Sequence, residues 1–153
     1  MAKHAHTVNR GDLDDAQFLE DRLYDFNAAQ TGRDDGRYFT FVIRDEMGQI
    51  IAGTSGWTWA SACEVRTLWV DGAWRGQGLG ERLLATVEAE ANARGCQIVL
   101  LASYSFQAPA FYQRHGYNLV WQLTDFPPGH QFNFLVKQLP AGSEGANEAA
   151  RPA

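Results

Sequence analysis

Arg75-Gly76-Gln77-Gly78-Leu79-Gly80 lies between a stretch that reads as a strand ending at Val70 and one that reads as a helix starting near Leu79. Glycines let several backbone N–H groups converge on one point. Here that point is the positive end of a helix dipole, so the turn reads as an anion site. Two familiar phosphate-binding patterns fail on spacing. A P-loop needs Gly-Lys-Ser/Thr, which is absent, and the dinucleotide fingerprint needs a third glycine at position 81, where the chain has Glu81. The glycines alone are weak evidence and also fit a merely flexible connection, so the flanking elements add the context that is needed.

After the turn, Leu79, Leu83, Val87 and Ala91 recur on one helical face as far as Arg94, and Gly95 is placed as a left-handed C-terminal cap. Ile98 to Ala102 is a continuous apolar run short enough for a buried strand. Ser105 is the expected cap of a short helix through His115, with Pro109 in its first turn. Strands at about 117–123 and 131–138 follow, joined by a turn that contains Pro127-Pro128-Gly129. Before the turn, Tyr38 to Arg44, Gln49 to Trp59 and Cys63 to Val70 read as a three-stranded antiparallel meander, with Ala60 and Ser61 as its second tight connection. Further upstream, Asp12 is the capping candidate of a helix to about residue 29, along which Phe18, Leu19, Leu23 and Phe26 recur at helical spacing. Gly32 and Asp34-Asp35-Gly36 end it, and a short segment around Ala5 to Asn9 reads as a first strand.

The chain has 153 residues, the size of one ordinary domain, expected here over 1–139, and the Ala, Gly, Glu and Pro-rich stretch 140–153 reads as a disordered tail. A formal net charge of -5 and the lack of a basic stripe exclude a phosphate-tracking nucleic-acid binder. Cys63 and Cys96 lack the close Cys/His spacing of a zinc site or redox pair and read as small core residues, so no metal is expected. With no signal pattern and no apolar run approaching ~18 residues, no membrane contact is expected, and the expected location is the cytoplasm.

The turn resembles the Arg/Gln-x-x-Gly-x-Gly/Ala signature of the GNAT (GCN5-related N-acetyltransferase) superfamily, matched by Arg75, Gly78 and Gly80. A second block, Ser105-Phe106-Gln107-Ala108-Pro109-Ala110-Phe111-Tyr112-Gln113-Arg114-His115-Gly116-Tyr117, is similar to the family's Asn-x-x-Ala-x-x-x-Tyr-x-x-x-Gly-Phe segment. Ala108, Tyr112 and Gly116 match directly, whereas Ser105 stands where asparagine is common and Tyr117 where phenylalanine is common. The resemblance covers roughly residues 5–139. It implies an α/β (α+β) GNAT fold: a mixed, mostly antiparallel sheet of about six or seven strands flanked by helices, splayed between its fourth and fifth strands. It also implies an acetyl-CoA-dependent N-acetyltransferase. Coenzyme A would be held by Leu68, Trp69 and Val70 of the splayed strand, by Arg75, Gly76, Gln77, Gly78, Leu79 and Gly80, and by Ser105, Ala108 and Tyr112. The backbone N–H near Val70 is the family's carbonyl-polarising donor.

Acetyl transfer from a thioester to an amine needs a neutral amine, a polarised carbonyl and a stabilised leaving thiolate. Tyr112 corresponds to the family tyrosine beside the coenzyme sulfur and is the expected general acid. Glu64 occupies a strand position at which some members carry a glutamate that deprotonates the amine. Arg66 shares its strand face, so a general base and a structural ion pair are both open readings. Tyr24, Trp57, Trp59 and Trp121 with Asp25, Asp34 and Asp35 are candidates for an acceptor pocket with aromatic walls and acidic groups, suited to a cationic amine. The expected acceptor is a small molecule such as a polyamine, an amino sugar or an aminoglycoside-type antibiotic, which would make the chain a resistance enzyme. A protein lysine or N-terminus is the enzymatic alternative, and a non-catalytic coenzyme A- or partner-binding module the other. Family members are often dimers, so the resemblance suggests a homodimer.

Overall fold

A computed structural model describes residues 6–141. Backbone contacts divide the chain into two compact units, meeting between Asp34 and Asp35.

Among the described residues, the first unit holds one helix, α1 (Leu13–Thr31). It starts at a reciprocal capping box: the Asp12 side chain accepts from the Asp15 N–H at 3.0 Å, and the Asp15 side chain accepts from the Asp12 N–H at 3.0 Å. Gly32, in the left-handed conformation, ends it by donating to the Ala28 carbonyl at 2.8 Å. Residues 6–9 carry no strand, which corrects the expected first strand over that part of its span. Val8 is its sole large apolar side chain there, and one such residue offers too little surface to hold an extended segment in a sheet. Ala5 and the expected tail from residue 142 onward lie outside the described residues.

The second unit is built on a six-stranded sheet in the order β1-β2-β3-β4-β6-β5. Its strands are β1 (Arg37–Arg44), β2 (Ile50–Trp59), β3 (Ala62–Val70), β4 (Ile98–Tyr104), β5 (Asn118–Thr124) and β6 (Gln131–Gln138). Every neighbouring pair is antiparallel except β3 and β4. That mixed sheet with flanking helices is the α/β class expected from the sequence, and with residues 6–9 unpaired the expected fourth and fifth strands are β3 and β4.

Among the described residues, the unit's α-helices are α2 (Leu79–Ala93) and the short α3 (Pro109–Arg114). Leu84, Val87 and Ala91 of α2 are buried in one core with Phe39, Cys63, Val65, Val99, Leu101 and Leu135. Burying each Leu or Val contributes about 1.5–3 kcal/mol, so the α2 stripe fixes the helix over the centre of the sheet. Polar contacts fix its rotation. Both Glu88 carboxylate oxygens accept from Lys137 Nζ at 2.9 Å, and Glu88 Oε1 also accepts from the Tyr117 hydroxyl at 3.1 Å. At the helix end, Arg94 Nη1 donates to the Arg37 carbonyl at 3.1 Å and to Thr58 Oγ1 at 3.0 Å. The helix closes where expected, with the Cys96 N–H bonding the Ala91 carbonyl at 2.8 Å and the Gly95 N–H bonding that of Asn92 at 3.0 Å.

Candidate functional site

The parallel pairing of β3 with β4 is brief, running only over Ala62–Val65 against Ile98–Leu101. Beyond it β3 continues to Val70 and β4 to Tyr104, with no ladder between them. The cause is local. On β2, Ser55 pairs with Thr67 and Gly56 pairs with Val65, so Arg66 is the extra residue of a β-bulge. A bulge bends and twists its own strand, and here it coincides with the point where β3 leaves β4. It also moves the inward face from Cys63 and Val65 to Leu68 and Val70. The edge of β3 that faces β4 over residues 66–70 is therefore available to extended amide groups of a ligand, in the manner of an added strand.

After Val70, Asp71 Oδ1 accepts from the Ala73 N–H at 2.9 Å and caps a single 3-10 turn, Gly72–Trp74. Arg75 Nε then donates to the Val70 carbonyl at 3.2 Å, tying the glycine turn to the end of β3. Gly76 (φ +74°) and Gly78 (φ +78°) take the left-handed conformation, which costs other L-residues about 1–2 kcal/mol. Gly78 is the N-cap of α2 and supplies no side-chain acceptor. The N–H groups of the first turn, Leu79 to Glu81, consequently have no intrahelical partner and sit at the positive end of the helix dipole. The strand-turn-helix arrangement read from the sequence as an anion cradle is present at residues 75–81.

A cleft of about 1080 Å³ joins these parts. Of the residues expected at coenzyme A, Leu68, Trp69, Val70, Arg75, Gly76, Gly78, Leu79, Gly80, Ala108 and Tyr112 line it. Gln77 belongs to the turn but is not part of the wall. Ser105 is not part of it either: its Oγ accepts from the Gln131 N–H at 3.0 Å and stands 3.5 Å from His130 Nδ1, so it ties β4 to the start of β6. Ser105 is not the helix cap; α3 begins at Pro109 with Ala108 as N-cap and no side-chain cap. Upstream of α3, Gln107 Oε1 accepts from the Tyr104 N–H at the end of β4 at 2.8 Å.

Tyr112 reaches the cleft from α3 while its ring packs on Phe111 and Tyr117, with centroids 5.2 and 5.8 Å away. Burial raises its pKa above the ordinary tyrosine value, so the phenol keeps its proton at neutral pH.

At the vertex, where β3 and β4 part, lies a smaller cavity of about 210 Å³ lined by Glu64, Val65, Arg66, Leu100, Leu101, Ala102 and Phe134. Glu64 and Arg66 form an ion pair, Nε to Oε2, at 3.2 Å. Trp57 is the cross-strand partner of Glu64, and Tyr38 is the partner of Trp57, with the two rings 4.5 Å apart. Partners in register share a face, so Tyr38, Trp57 and Glu64 form a row across three strands.

The other acceptor candidates belong to both units. In the first unit, the Tyr24 hydroxyl donates to Asp34 Oδ1 at 3.0 Å, and Asp25 pairs with Arg22 at 2.7 Å. In the second, Asp35 Oδ1 accepts from the Ala60 N–H at 3.2 Å, Trp59 follows Trp57 on β2, and Trp121 is half exposed on β5. The sequence reading missed Arg66, Trp74, Phe106 and Phe111 as wall residues. For Arg66 a signal existed, because the apolar alternation of β3 slips phase between Val65 and Leu68. Among the described residues, no group of three or more His, Cys, Asp or Glu side chains could hold a metal, and no helix is long and apolar enough to cross a membrane.

Residues 36–119 match the family model of the acetyltransferase (GNAT) domain. Over 106 residues the chain is 44% identical to blasticidin-S acetyltransferase of Streptomyces morookaense, which spans 67% of this chain and 75% of that protein. It is 30% identical over 127 residues to acetyltransferase Atu2258 of Agrobacterium fabrum, covering 83% of this chain and 93% of that one. Among solved structures, an acetyltransferase from Bacillus cereus superposes with a TM-score of 0.76 at 29% identity, over 90% of this chain and all of the other.

Proposed function

Because the chain belongs to the GNAT family and is an acetyl-CoA-dependent acetyltransferase, we propose that it acetylates the amine of a small basic antibiotic, with Glu64 and Tyr112 as its proton-transfer groups. The observation that carries this reading is the parting of β3 from β4, which sets Glu64 in the cavity at the vertex and Tyr112 in the wall of the long cleft.

The residues present fit the cosubstrate. The cradle over residues 76–80 offers unpaired N–H groups to a pyrophosphate, and a methyl group added at Gly76 or Gly78 would meet no atom within 4 Å, so the space in front of the turn is open. The exposed edge of β3 suits the amides of a pantetheine arm. Acetyl-CoA supplies the acetyl group as a thioester. Glu64 accepts the proton of the attacking amine, a C–N bond forms as the C–S bond breaks, and Tyr112 donates its proton to the departing sulfur. Arg66 competes with the amine for Glu64, so the base role requires the ion pair to open when the acceptor arrives.

Support for an antibiotic acceptor comes from the 44% identity to a blasticidin-S acetyltransferase. The modest size of the vertex cavity, about 210 Å³, suits the end of a small molecule. The test is thiol release from acetyl-CoA with blasticidin S, aminoglycosides, polyamines and lysine peptides. Turnover of blasticidin S or another small amine, lost about 100-fold or more in Glu64→Gln with acetyl-CoA binding unchanged, supports the reading. Turnover of peptides alone would replace the acceptor with a protein, and full activity in Glu64→Gln would remove the base.

A further inference from the structure

A β-bulge re-aims the side chain it inserts, and in β3 that side chain is Arg66. Its guanidinium is held from two sides: Nε bonds Glu64 at 3.2 Å, and the central carbon stands 5.5 Å from the centroid of the Tyr38 ring. Arg66 and Ala102 line both the cosubstrate cleft and the vertex cavity, so the cation stands where the two spaces meet. The other walls of the cavity are Val65, Leu100, Leu101, Ala102 and Phe134. Among the described residues, Glu64 and Arg66 are thus the ionisable side chains lining it, one of each sign.

Stability is a weak reason for that pair. Both side chains are 46% exposed, and solvent screens an ion pair of that kind to near insignificance. Recognition is a stronger reason. Arginine has five N–H donors in a planar fork that matches a carboxylate through two parallel bonds; here Nε is bonded to Glu64 and the Tyr38 side chain is the guanidinium's second partner, so donors remain for a ligand. Resting on the acetyl-transfer reading above, we infer that the acceptor is zwitterionic: it carries a carboxylate near the amine that is acetylated, the carboxylate held by Arg66 and the amine presented to Glu64. An acceptor carboxylate that draws the guanidinium to itself also frees Glu64 to take the amine proton. The Tyr38 and Trp57 rings, 4.5 Å apart beside the pair, limit where the guanidinium can swing.

The experiment compares acceptors that differ only in the carboxylate: blasticidin S and its carboxyl methyl ester, L-lysine and cadaverine, L-ornithine and putrescine. Each is tested for turnover and, by calorimetry, for binding to the coenzyme A complex of the wild type, Arg66→Gln and Arg66→Lys. The expected result is a preference for the carboxylate-bearing member of at least one pair, by about 10-fold or more in kcat/KM or in Kd. Arg66→Gln should abolish that preference, whatever its effect on the KM for acetyl-CoA, and Arg66→Lys should restore part of it. Better turnover of the members lacking the carboxylate overturns the inference and leaves acetyl transfer to small amines intact. Equal losses on both members of every pair in Arg66→Gln, or a raised acetyl-CoA KM with unaltered preference, also overturn it. If no pair shows carboxylate-dependent turnover or binding, the inference fails outright. Acetyl-CoA binding without transfer to any amine would mark the failure of the acetyl-transfer reading itself.

Discussion

Replacing Gly80 with alanine should stabilise the protein and weaken coenzyme A binding at once. Gly80 lies in the first turn of α2 and has no positive φ, so its backbone does not require glycine. A Cβ there would stand 3.5 Å from Phe111 Cζ and 3.9 Å from Leu68 Cδ2, ordinary van der Waals separations. Exchanging glycine for alanine inside a helix contributes about 0.5–1 kcal/mol, which raises Tm by about 1–4 °C for a chain of this size. Phe111 and Leu68 both line the cleft, however, so the added methyl narrows it beside the N–H groups proposed to hold the pyrophosphate. The Kd for coenzyme A should rise at least about 10-fold, a loss of about 1.4 kcal/mol. Gly78→Ala is the control with the opposite stability sign: its Cβ would meet nothing within 4 Å, yet φ is +78°, so stability should fall by about 1–2 kcal/mol. Thermal melts of the free proteins and calorimetric titration with coenzyme A read both quantities. A Gly80→Ala protein that melts higher but binds coenzyme A as tightly as the wild type would refute the claim that this glycine makes room for the ligand. One that melts lower would refute the local packing argument.

Tyr112→Phe keeps the ring and removes the proton donor, so kcat should fall about 100-fold while coenzyme A affinity and Tm change little. Because burial raises the Tyr112 pKa, the wild-type kcat should show no alkaline decline from this group below pH ~10; a limb near 9 that vanishes in Tyr112→Phe would contradict that. Burial, reinforced by neighbouring Cys96, pushes the Cys63 thiol up from 9.0 to about 12. A raised folded-state pKa means the stability it confers is complete below about pH 9 and is lost as pH rises through about 12. Urea midpoints measured between those values should fall more steeply for the wild type than for Cys63→Ala, and equal slopes would assign the alkaline loss to other groups.

The features of the sequence that located the site are those whose physics is local. The left-handed Gly76 and Gly78, the α2 stripe and the Gly95 closure depend on residues within a few positions of each other, so spacing alone reveals them. The Ala60-Ser61 connection is visible as the gap between two strand-like runs and not in turn chemistry, since neither residue favours the positive φ, +50° and +79°, that the hairpin imposes. The Ser105 cap failed because a nonlocal partner, the Gln131 N–H, claims its hydroxyl, and nothing within the segment 104–116 reports that competition. The bulge at Arg66 falls between these cases. Its phase slip is written in Cys63-Glu64-Val65-Arg66-Thr67-Leu68, but which residue is the extra one depends on Ser55 and Gly56 of the neighbouring strand. That distinction separates cosubstrate from acceptor. The cradle is an arrangement of backbone within one strand-turn-helix unit and is legible in one dimension. The vertex cavity draws Glu64, Arg66, Leu100 and Phe134 from three strands, and the charge pair set against its apolar walls exists only once those strands are in register.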